Sequence, residues 1–194
     1  MADFTRQAIV STFKKLLKNP KGTLTVKNIT DTCNISRNTF YYHYDSLSAL
    51  LQAELRIWFT DCKDTGAKTL TECTVPFIKT VTAHKAEIIN LCASSYDDVY
   101  FNFVVDLMRD RIHECVARMV DHSQFAPEHR PIIAIFCVNM LKHTFRDWML
   151  HGMSYDIGAF IATLDELVTT GTLSNLTDEQ MKQRIDAMRK AMLL

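Results

Sequence analysis

Glycine and proline are scarce, with 5 and 4 in 194 residues. That scarcity argues against a loop-rich all-β fold, in which turn residues recur about every 8–12 positions. No apolar run reaches the roughly 18–20 residues that a membrane span needs. Met1-Ala2-Asp3-Phe4 lacks the basic and apolar segments of a secretory signal. A cytoplasmic protein with no membrane partner is expected. The six cysteines (Cys33, Cys62, Cys73, Cys92, Cys115, Cys137) never take C-x-x-C spacing, so neither a metal site nor a redox pair is indicated. They read as small buried hydrophobes, with a thiol sensor as the alternative. Gly-rich phosphate loops, metal-ligand pairs and nucleophile elbows are also missing. His84, His113, His122, His129, His143 and His151 are dispersed along the chain. An enzyme is not expected, and no cofactor is implied.

The composition, 47% hydrophobic and 23% charged, supports a globular core. Formal net charge is zero, but its distribution is uneven. Through Tyr44 there are seven basic residues (Arg6, Lys14, Lys15, Lys18, Lys21, Lys27, Arg37) and two acidic ones (Asp3, Asp31). The head is therefore 7 − 2 = +5 and the rest −5. A basic end on an acidic body is expected when one part meets phosphates.

Helical periodicity dominates and no convincing strand pattern or repeat appears. Thr5 is expected to cap a first helix through Lys18, with Ile9, Phe13, Leu16 and Leu17 inward. Thr25 is expected to cap a short helix through Cys33. Asn34 suits the left-handed residue of a tight helix end, and Ser36 caps a second short helix, Arg37 to Tyr44. Two short helices on such a turn make a helix-turn-helix. In the second, Phe40 and Tyr44 share one face. Arg37, Asn38, Thr39, Tyr41, Tyr42 and His43 are left to the other sides, a set suited to base edges and phosphates. A polar-edged aromatic core is the alternative.

Further helices are expected from Asp45 and Ser46 to about Asp64, from Pro76 in a first turn to about Ala93, and from Tyr96 to His122 with a bend or break near Arg109 to Arg111. Others are expected from Pro131 to His151 with Gly152 beyond, and from Asp156 to Thr170. Thr177-Asp178-Glu179-Gln180 reads as a capping box for a tail helix. The fold class is all-α, with a three-helix head over 1–46 and a helical body over 47–194.

The segments Thr25-Val26-Lys27-Asn28-Ile29-Thr30 and Cys33-Asn34-Ile35-Ser36-Arg37-Asn38-Thr39-Phe40-Tyr41-Tyr42-His43-Tyr44 resemble the helix-turn-helix of the tetracycline-repressor (TetR/AcrR) family of bacterial regulators. The resemblance implies a regulator, a repressor by expectation, whose operator affinity an effector controls. It implies DNA contacts at Thr25, Lys27, Arg37, Asn38, Thr39, Tyr41, Tyr42 and His43, with double-stranded, palindromic DNA as partner. Leu47 departs from it, standing where the family places a lysine and removing a phosphate contact. The resemblance also implies a homodimer built on the last two apolar helices, through Ile135, Asn139, Phe160, Leu164 and Leu167. Cys92, Tyr96, Tyr100, Phe103, Met108, Met140 and His143 are candidate walls of an effector pocket, or plain core. Arg37 to Tyr44, and the ending Trp148 to Gly152, are similar to a branch that includes activators of dihydroxyacetone-kinase operons, which answer to a protein partner. A small-molecule and a protein effector both remain open, as does a non-DNA interaction module that keeps the fold.

Overall fold

The computed structural model describes residues 2–19, 23–62, 66–121 and 125–170, together with Glu179. Among these residues there are nine α-helices and no strand: α1 (Ala2–Lys18), α2 (Val26–Cys33), α3 (Arg37–His43), α4 (Leu47–Trp58), α5 (Leu70–Ala83), α6 (Lys85–Cys92), α7 (Asp97–Asp121), α8 (Arg130–Leu150) and α9 (Ile157–Thr170). The 3-10 turn Pro127–His129 leads into α8. The tail helix expected after Thr177 lies outside the described residues, apart from Glu179.

Contacts gather the chain into two compact units, Met1–Asp61 with Ala83–Phe103, and Cys62–Thr82 with Val104–Leu194. In the first unit α1 packs on α2 and α6, and α2 on α3. Ile9 and Phe13 of α1, Ile29 of α2, Phe40 of α3 and Leu50 and Leu55 of α4 are fully buried there. Burial of each such side chain contributes about 1.5–3 kcal/mol relative to exposure. Glu54 of α4 is buried with them and meets Lys14 Nζ of α1 at 2.8 Å. In the second unit α8 packs on α9. Phe77 of α5 and Phe145 of α8 meet edge to face at 4.8 Å between centroids.

Several helix ends differ from expectation. Helix α1 begins at Ala2, because nothing in residues 2–5 interrupts it and no cap at Thr5 is needed. Helix α4 stops at Trp58 rather than near Asp64. Thr60 folds back there, its hydroxyl donating to the Arg56 carbonyl at 2.9 Å. Pro76 lies inside α5, whose start is Leu70. The Asp165 carboxylate of α9 accepts the Leu70 and Thr71 amides at 2.5 and 2.9 Å. The Thr69 hydroxyl accepts the Glu72 amide, and the Glu72 carboxylate accepts the Lys68 amide. Thr69-x-x-Glu72 is thus close to a capping box, a signal the sequence held.

The single helix expected through Ala93 is two, parted at His84. The His84 imidazole lies flat on the Trp58 indole, 4.1 Å between centroids and 6° from parallel. Helix α7 runs without a break. Asp106–Arg109 and Glu114–Arg118 pair one turn apart along it, at 2.6 and 3.9 Å, which supports a helix rather than interrupting one.

Candidate nucleic-acid interface

The local chemistry of residues 25–46 sets how α3 is presented. Thr25 Oγ1 accepts the Asn28 amide at 3.1 Å and opens α2. Asn34 closes it at φ 53°, ψ 47°, the left-handed conformation that asparagine tolerates best after glycine. The Asn34 and Ile35 amides return to carbonyls of the last turn, Ile35 to Thr30 at 3.1 Å. Ser36 Oγ then accepts the Thr39 amide at 3.0 Å and opens α3. Two helices of 8 and 7 residues are too short to persist alone. Their caps and the burial of Ile29 and Phe40 hold them.

Phe40 is fully buried and Tyr44 nearly so, with their rings 6.0 Å apart. That anchors one face of α3. On the other sides Arg37 and Asn38 are exposed, Tyr41 is 51% exposed and Tyr42 80%. Tyr41 and Tyr42 therefore lie on the open side of the helix. Thr39 is half-buried, its hydroxyl shared with Ser36 Oγ at 2.8 Å. His43 is half-buried, edge-on to Tyr42 at 5.2 Å. Lys27 of α2 is exposed and Thr25 half-buried. The alternative of a polar-edged aromatic core thus fits Phe40 and Tyr44, while Tyr41 and Tyr42 stand open.

Sequence patterning missed one member of this region. Arg6 of α1 donates through Nε to the Tyr44 hydroxyl at 3.2 Å, with its guanidinium 5.9 Å from the Tyr44 ring centroid. No local motif links residues so far apart. Leu47, which stands where the family places a phosphate-binding lysine, is 4% exposed and belongs to the core.

The candidate effector-pocket residues are divided. Cys92, Tyr96, Tyr100 and Phe103 belong to the first unit; Met108, Met140 and His143 belong to the second. Tyr100 is fully buried. Burial, with Cys92 adding to it, pushes its phenol well above the ordinary range. Cys92, Tyr96 and Phe103 are half-buried. Tyr96 lines a cleft of about 490 Å3 with Leu16, Leu17, Leu24, Asn90 and Ser94. Asn90 Nδ2 there donates to the Leu17 carbonyl at 2.9 Å, capping the end of α1. Met108 is buried, Met140 half-buried, and His143 exposed beside Asp147 and Leu150 in an open depression of α8.

The candidate dimer residues divide as well. Ile135 and Asn139 of α8 are exposed, Phe160 and Leu167 half-buried, and Leu164 is buried within the chain. The open apolar face of α8 is wider than expected, with Ile132 at 68% and Phe136 at 57%. None of the six cysteines is in a disulfide. Among the described residues no group of three or more His, Cys, Asp or Glu could hold a metal. No helix among them is long and apolar enough to cross a membrane.

Residues 68–170 match the TetR-type family described as the transcriptional regulator C-terminal region, more than half of the 194 residues. The chain belongs to the TetR family of transcriptional regulators. No curated protein sequence matches it. Among solved structures the chain is similar in fold to the "Dihydroxyacetone kinase operon activator DhaS". The TM-score is 0.58 over 84% of this chain and 93% of that one, at 14% identity.

Proposed function

We propose that the chain is a sequence-specific, homodimeric DNA-binding regulator that reads an operator through α3. The presentation of α3 carries this reading, one face locked by Phe40 and Tyr44 while Arg37, Asn38, Tyr41 and Tyr42 stand open. Arg37 and Asn38, in the first turn, are the base readers, since guanidinium and amide groups pair bidentately with guanine and adenine edges. Thr25, Lys27, Thr39, Tyr41, Tyr42 and His43 hold the backbone, where hydroxyl and N–H donors suit phosphate oxygens. A dimer brings two such helices to half-sites about 34 Å apart or a multiple of it. Its contact is the open face of α8 around Ile132, Ile135, Phe136 and Asn139. Helix α9 adds Phe160 and Leu167.

Repression by operator occupancy follows from these elements, with relief by an effector bound in the body. The fold likeness to an operon activator favours the opposite sign as a second reading, in which the bound dimer recruits rather than blocks. A reporter gene behind the operator separates the two, because deleting the regulator raises expression under the first and lowers it under the second.

Fluorescence anisotropy with duplexes from the chain's own upstream DNA tests the reading. Affinity should fall steeply as salt rises. Arg37→Ala should relax preference at one position per half-site, by roughly 1–3 kcal/mol of discrimination. Tyr42→Phe should weaken all sequences alike. Phe136→Glu should give a folded monomer that no longer holds the palindrome. Salt-insensitive or absent binding by the wild-type chain would sink the reading and favour a non-DNA interaction module.

A further inference from the structure

Between Arg37 and Arg56 the sequence contains no lysine or arginine. The far end of α3 and the first turn of α4 therefore have no permanent cation of their own. Asp45 even places an acid there, and Leu47 is turned into the core. Tyr42, at 80% exposure, and His43 occupy this same end. A surface meant for a polyanion is weakest in charge where α3 closes.

The fold returns a cation to that place from α1. Arg6 is exposed, and its Nε donates to Tyr44 Oη at 3.2 Å from 38 positions away. The guanidinium carbon lies 5.9 Å from the ring centroid of Tyr44. Tyr44 is the residue that closes α3, its amide bonded to the Phe40 carbonyl, and it is only 7% exposed. Its hydroxyl is thus a fixed point, and Arg6 is held by it beside the end of the helix. A loose arginine loses rotamer freedom when it engages a phosphate; one already tethered loses less. Guanidinium is charged at every working pH and its planar fork matches phosphate oxygens.

We infer that Arg6 is a phosphate-contacting residue of the DNA interface, supplying from α1 the cation that the stretch after α3 lacks, with Tyr44 as its positioning residue. The inference rests on the reading of α3 as the recognition helix. Its ligand is the backbone of duplex DNA, so the contact adds affinity without sequence preference.

The test uses full-length protein and two probes, a duplex from its upstream DNA and a mixed-sequence duplex, titrated across a series of KCl concentrations. Arg6→Gln should weaken binding to both, roughly tenfold or more at low salt, and make the slope of log Kd against log[KCl] shallower by about 2, at about 0.9 per phosphate contact in each protomer. Arg6→Lys keeps the charge and should keep the slope. Tyr44→Phe removes the hydroxyl that Arg6 Nε donates to and should weaken both probes severalfold at an unchanged slope. Arg6→Gln protein with a normal melting curve and a wild-type slope overturns the inference while leaving α3 as the reader. Should Arg6→Gln not fold, Tyr44→Phe at wild-type affinity for both probes overturns it instead. Wild-type protein that binds neither probe in a salt-dependent way defeats the reading of α3 first, and Arg6 falls with it.

Discussion

Helices α2, α3 and α4 each begin on a hydroxyl that accepts an amide three residues on: Thr25 from Asn28, Ser36 from Thr39, and Ser46 from Ala49. Helices α6 and α8 begin at His84 and His129 with no side-chain cap. Helix α5 is held at its start by Asp165, some 95 positions away. All of these segments are helical, but the information lies in different places. The short helices around the turn carry their start and stop signals within a few residues. In the body, α5 adds to its local Thr69–Glu72 cap a carboxylate that only folding brings near, and His84, where α6 begins, stacks on the distant Trp58. The family match, by contrast, falls on residues 68–170, outside the turn.

Core truncations should produce the largest effects and separate the regions most sharply. Phe40→Ala and Phe77→Ala each empty a fully buried aromatic site and should each cost about 3–5 kcal/mol in chemical denaturation. Only Phe40→Ala should also abolish DNA binding, measured under conditions where both variants remain folded. If folded Phe40→Ala protein retains its affinity, the buried face of α3 does not position the exposed one.

Caps come next. Asp165→Ala removes a carboxylate that accepts two amides and the Thr71 hydroxyl, and should destabilise by about 2–3 kcal/mol, since bonds to charged groups are the stronger ones. Ser36→Ala removes one neutral cap and should cost about 1 kcal/mol, with a further loss of DNA affinity that Asp165→Ala does not share. Equal melting shifts for the two would erase the distinction between a tertiary and a local cap.

The smallest effect concerns pH. Burial lowers the His84 pKa; Glu87 opposes that shift and Lys14 adds to it. A histidine whose folded pKa lies below its unfolded value, about 6.5, stabilises the folded state fully above that value. The contribution is lost as pH falls through the folded pKa. Thermal melts should therefore show a downward step in stability below about pH 6.5 that His84→Gln reduces. An unchanged pH profile in His84→Gln would remove the His84–Trp58 stack from the list of what holds α6 in place.

Much of the head could be read directly. Asn34 as the left-handed residue, Ser36 as cap, and Phe40 with Tyr44 inward are all consequences of spacing within one or two turns, and the structure has each of them. Thr69 and Glu72 were equally legible as the start of α5, but Pro76 drew the boundary to itself. A proline after the first turn lacks an amide and is expected to end a helix; α5 runs through Pro76 nonetheless, its start held by Glu72 and Asp165. The break at His84 had no glycine or proline to announce it.

The sequence alone determined the helical class, the turn between α2 and α3, and the polar face that α3 offers, because each depends on residues within a few positions of one another. Tertiary structure decided which of those faces stay open. It buried Leu47 and Leu164, left Ile132, Ile135 and Phe136 of α8 exposed, and brought Asp165 to the start of α5. It also set Arg6 against the end of α3. The physical reason is range: caps and left-handed turns are satisfied locally by short side chains, whereas burial and the placing of a charge depend on which distant segments meet.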